Sequence, residues 1–189
     1  MNETSTAEPG SGQSNTDDAE RLYFRVTIRA PIHKVWAELT RCDSVLPFFF
    51  NSRCTTPGLA PGAPIRMLSK DGKYASVVGD VLEFDPPYRY AHTFKFTNLD
   101  DPPCVVRYRL KEVDEGTEFT LINENVAAGS KSEKYMTMGA HFITRNLKAV
   151  VETGKATWAG RLQLFMMGLF APFTPKRCLS SNWPFDRKI

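Results

Sequence analysis

Tyr90, His92, Phe94 and Phe96 recur at every second residue, which sets a titratable imidazole in a line of aromatic rings if the segment is a strand. A histidine so placed has two uses. It can share a hydrogen bond or a proton with a molecule held beside the rings, or it can be a buried structural group satisfied by a neighbour such as Tyr108 or Asn123. The same alternation carries Val106, Tyr108 and Leu110, then Phe119, Leu121 and Asn123, to that side. The candidate ligand-binding set is His92, Tyr108 and Asn123 as polar contacts, with Phe49, Phe94, Leu121, Met138 and Phe142 as apolar wall. Phe49, Met138 and Phe142 would serve equally well as core. No catalytic set is assigned. Glu83 has no evident partner and reads as a structural carboxylate bonded to backbone or to an arginine, so the chain reads as a binding protein more readily than as an enzyme.

Cys42, Cys54, Cys104 and Cys178 stand well apart, form no CxxC pair and have only three histidines to join them. They are expected as thiols, with no metal site and no cofactor. The first twenty residues hold five acids, no base and almost nothing apolar, and are expected to form a disordered tail. Residues 21–189 then carry +8, against +3 for the whole chain. That excess is spread out and follows no nucleic-acid motif, so a nucleic-acid partner is not expected. The start lacks the basic and apolar blocks of a secretory leader, which points to the cytoplasm.

The elements that must position these groups follow from periodicity. Lys131 to Gly154 is the one long amphipathic helix, with Ser130 or Ser132 to cap its first amides and Gly154 to end it. Its buried stripe is read as Tyr135, Met138, Gly139, Phe142, Asn146 and Val150, widened by Ile143 and Leu147. Residues 21–29 alternate as a half-buried strand, and a short helix follows from Pro31, burying Val35, Trp36 and Leu39. Between Asn51 and Val126 runs of strand character are separated by Gly- and Pro-rich turns, of which Asp71-Gly72 is the sharpest hairpin signal. The expected fold class is α+β: a curved seven-stranded antiparallel sheet wrapped around a long C-terminal helix, spanning residues 21–154.

Several blocks carry a resemblance. APIHKVWAELT, PGAPIRM, GDVLEFDPPYRYAHTF, VVRYRLKEVDEGTEFTLINENV and NLKAVVETG together resemble the START-like (SRPBCC) superfamily, and within it the domains related to the heat-shock protein 90 ATPase activator. The resemblance implies a helix-grip fold in which the sheet grips the last helix around a lipophilic pocket. It implies several activities as well: stress co-chaperones, lipid and quinone carriers, and aromatic polyketide cyclases. Many relatives carry Trp where this chain has Phe48 to Phe50 and Phe94, so an indole hydrogen bond to a ligand is not carried over.

Residues 155–189 form an extension that is both apolar and basic, with LQLFMMGLFAPF at its centre. The apolar run is too short to span a bilayer. It is expected to fold back over a groove of the domain or into a homodimer interface; peripheral membrane contact through residues 158–173 is the alternative. The reading is a carrier of a small hydrophobic molecule. A chaperone-binding module and an aromatase/cyclase-like enzyme are its rivals.

Overall fold

The computed structural model describes residues 21–42, 44–170 and 173–189, so the tail expected at residues 1–20 lies outside the described residues. β1 (Arg21–Ile28) leads into α1 (Ile32–Leu39), whose Ile32, Val35, Trp36 and Leu39 are buried. Pro31 sits one residue before that helix, at its cap. β2 (Val45–Leu46), a 3-10 turn at Pro47–Phe49 and β3 (Ser52–Thr55) follow. Then come β4 (Pro64–Leu68), β5 (Ala75–Asp85), β6 (Arg89–Phe96), β7 (Cys104–Val113) and β8 (Gly116–Glu124).

These strands form one curled antiparallel sheet in the order β1-β8-β7-β6-β5-β4-β3-β2. The first strand closes onto the last, and every other neighbour is a hairpin partner. There are eight strands and not the seven expected, because the two-residue β2 pairs with β3 and is too short to show a period. α2 (Lys131–Thr153) packs against β1 and the 47–49 turn, with lesser contact to β8 and α1. The helix-grip architecture is as the sequence implied.

The ends of α2 have local causes. Ser130 Oγ accepts from the Glu133 amide at 3.0 Å, Glu133 Oε2 accepts from the Gly129 amide at 2.7 Å, and Gly154 takes φ 77°. Its buried face is a correction. Met136, Ala140, Ile143, Leu147 and Val151 form the inward line together with Phe142 and Asn146, whereas Tyr135 is 42% and Met138 59% exposed. Two offset apolar lines run along this helix, and the one ending in Val151 is buried because α2 lies over the β1 side of the sheet.

α3 (Trp158–Leu169) leaves α2 through a polar joint. Asn146 Nδ2 donates to the Phe142 carbonyl at 2.9 Å, and its Oδ1 accepts from both the Thr157 amide and hydroxyl at 3.0 Å. What folds back beyond α3 is not the apolar run but residues 176–189. Leu179 bridges Tyr74, and Trp183 packs with Ala75 and Val78 of β5 in a second small core. Arg66 of β4, buried to 2% exposure, pins this strap. Its guanidinium donates to the carbonyls of Trp183 (2.9 Å), Pro184 (2.9 Å) and Arg187 (3.2 Å), and to those of Ile65 and Gly79. All five N–H donors are therefore engaged.

Candidate functional site in the grip

Register places the polar candidates side by side on the concave face. His92 lies opposite Val106, and Val106 opposite Asn123; one step along, Tyr90 lies opposite Tyr108 and Tyr108 opposite Leu121. The rings form a continuous cluster: Tyr90 and Tyr108 stack at 5.6 Å between centroids, and His92 stands 5.3 Å from Tyr90, 5.8 Å from Tyr108 and 6.2 Å from Phe94. Burial is nearly complete for His92, Tyr108, Leu121 and Asn123.

The His92 Nδ1–H donates to the Thr93 carbonyl at 2.8 Å, which leaves Nε2 as an acceptor. Burial lowers the imidazole pKa to about 4, partly offset by that backbone bond, so the ring is neutral at pH 7. The Tyr90 and Tyr108 phenols are pushed up by burial and stay protonated. Among these residues the Asn123 Nδ2 donor is buried without a hydrogen-bond partner.

These groups adjoin a void lined by Leu39, Phe48, Phe49, Cys54, Tyr90, His92 and Tyr108 among others. Its volume is about 10 Å³, the room of one water. Of the expected site residues, Phe49, His92 and Tyr108 line it; Phe94, Leu121 and Asn123 lie on the same face beside it. Phe142 instead stacks on Phe50, 4.3 Å between centroids. Met138 points away from the grip altogether. The expected chamber between α2 and the sheet is thus filled, and the small void lies towards α1 and the 47–49 turn.

All three rings of Phe48 to Phe50 turn towards the core, the first two fully buried, although an extended chain could not direct three in succession inward. A 3-10 turn followed by positive φ at Phe50 and Asn51, both 54°, makes it possible. Left-handed φ at a bulky residue is costly and recurs at ligand clamps and switches. Cys54 was missed because β3 is too short to reveal its face. Its Sγ comes within 4.0 Å of the Cys42 Sγ, a proximity between β3 and the link from α1 to β2 that their separation in the chain conceals.

Glu83 is held outside the grip. The register between β5 and β6 slips at Leu82, so Val81 faces inward opposite His92 while Glu83, opposite Ala91, faces out. There it pairs with Arg107 and, at 3.1 Å, with Arg89, and Arg107 also meets Glu124 at 3.3 Å. On this outer face Arg25, Thr120, Arg109 and Arg89 stand in one register row across four strands, in an open groove of about 340 Å³.

The model of Activator of Hsp90 ATPase homolog 1-like proteins matches residues 29–152, two thirds of the chain. The chain belongs to that family. Solved structures share its fold. The protein CV1439 from Chromobacterium violaceum is 19% identical, with 70% of this chain and 98% of that one covered at a TM-score of 0.52. The Aha1 dimer from Colwellia psychrerythraea is 19% identical, covering 72% and 98% at 0.58. DynU16, from the dynemicin biosynthetic locus, is 22% identical, covering 72% of this chain but 49% of that one, at 0.59. Among curated proteins no match was found.

Proposed function

We propose that this family member binds a small hydrophobic molecule carrying at least one polar group, without transforming it. The observation that carries the reading is Asn123 Nδ2, a donor buried in the grip without a partner, on the same face as the Tyr90, His92 and Tyr108 rings that line the void. A purely structural core pairs such atoms, because each orphan costs roughly 1–3 kcal/mol. The void of about 10 Å³ is a closed state, and a ligand enters by displacing the Phe48–Asn51 segment, whose backbone is already strained. A neutral histidine without a carboxylate facing it offers weak acid–base chemistry, which favours binding over a cyclase-like reaction. Native mass spectrometry of the protein purified without added lipid tests the reading. A co-purifying lipophile, lost in the Tyr108→Phe/Asn123→Leu variant, is expected; empty protein that is not thermally stabilised by fatty acids, quinones or polycyclic aromatics would overturn it.

A second reading, a co-chaperone-like module acting on a chaperone ATPase, is favoured by the cationic outer groove around Arg109 and by the near-solid grip. Stimulation of a chaperone ATPase that Arg109→Glu abolishes would establish it.

A further inference from the structure

Among the described residues, no helix is long and apolar enough to cross a membrane. α3 is nevertheless apolar on the side it shows to solvent. Trp158 is 72% exposed and Phe165 65%, and Leu162, Met166, Leu169 and Phe170 are exposed with them. At 3.6 residues per turn these six side chains occupy an arc of about 140°. Met167, 47% exposed, extends the apolar surface beyond this arc, and buried Gly160 and half-buried Leu164 lie against the domain. The helix is not a frayed end: Asn146 and Thr157 fix its start, and the strap pinned by Arg66 holds the chain after it.

The charges around this arc have one sign. From Thr153 to Phe185 the only charged residues are Lys155, Arg161, Lys176 and Arg177, with no acid between Glu152 and Asp186. Arg177 is engaged by Asp100, and the other three make no ion pair among the described residues. A second copy seated on this segment would bring cations against cations. An anionic bilayer surface supplies what both features lack, acyl chains for the arc and phosphates for the rim. With a length of about 18 Å, α3 fits lying in the interface plane and not across it.

We propose that α3 is an interfacial anchor that seats this domain on an anionic membrane surface. The inference is independent of the cavity reading, since no α3 residue lines the grip. The test is co-sedimentation of the full chain with vesicles of equal parts phosphatidylglycerol and phosphatidylcholine, and with phosphatidylcholine alone. Binding to the anionic vesicles, weakened by salt, is expected, with a blue shift in emission from Trp158, the one exposed indole beside buried Trp36 and Trp183. Phe165→Glu/Leu169→Glu should lower partitioning about tenfold or more while leaving the melting temperature unchanged, because both side chains are already in water. Arg161→Gln should lower it about fivefold on anionic vesicles only. No partitioning, or partitioning indifferent to lipid charge and salt, would overturn the proposal. So would a concentration-dependent dimer that the double Glu variant dissolves in lipid-free buffer, which would assign the arc to a second copy.

Discussion

His92 makes a statement about pH at the scale of one residue. Its folded pKa of about 4 lies below the ordinary value of 6.5, so between these limits the unfolded chain binds a proton that the folded chain refuses. Stability is therefore lost as pH falls through that window, by roughly 3 kcal/mol in all. Asp100, held low by Arg177, and Glu152, held low by the Arg29 amide and Lys148, act only further down, as pH falls below the ordinary carboxylate range. His92→Phe should flatten the decline from pH 6.5 to about 4.5 in urea midpoints, at a small cost at pH 7 from the unpaired Thr93 carbonyl; an unchanged pH profile would mean that the imidazole is not buried. Phe142→Ala should cost roughly 3–5 kcal/mol, because it removes the ring on which Phe50 stacks.

At the scale of elements, two helical glycines predict opposite outcomes. A Cβ on Gly139 would meet only the Phe50 ring at 3.8 Å, an ordinary contact, so Gly139→Ala should be neutral or stabilise by about 0.5–1 kcal/mol through helix propensity. A Cβ on Gly160 would lie 2.2 Å from Asn146 Oδ1, the atom that holds Thr157, the N-cap of α3. Gly160→Ala must therefore push Asn146 off Thr157 and unseat α3, with a cost of roughly 1–3 kcal/mol. Chemical denaturation of both variants decides it, and equal effects would contradict the described joint. Of the two, it is Gly160 and not Gly139 that another group approaches closely.

For the whole molecule, the strap at residues 176–189 and the α3 arc separate what stabilises the domain from what it exposes. Removing residues 176–189 uncovers Ala75 and Val78 and leaves the Arg66 guanidinium with two of its five carbonyl partners. That truncation, or Arg66→Ala, should cost roughly 3 kcal/mol or more in calorimetry. Arg66→Ala should also open the strap to limited proteolysis. Substitutions on the outward arc of α3 should leave the same transition where it was.

Features set by neighbours in the chain were legible without coordinates. A period of two named the concave face carrying Tyr90, His92 and Phe94, a serine and a glycine bounded α2 at both ends, and Asp71-Gly72 turned the chain between β4 and β5. These depend on interactions spanning a few residues, and the residue types state them. Tertiary structure alone decided which of two offset lines on α2 is buried, because that depends on where β1 and the Phe48–Phe50 turn lie around the helix. It also placed the void towards α1, brought the Cys42 and Cys54 thiols together, and turned Glu83 outward through a bulge that alternation cannot foresee. The fate of the C-terminal extension followed the same logic. Hydrophobicity marks α3 as the stretch with most to gain from burial, yet the last residues fold back instead, because their carbonyls meet a buried arginine on β4 more than a hundred residues earlier, while most of α3 stays exposed.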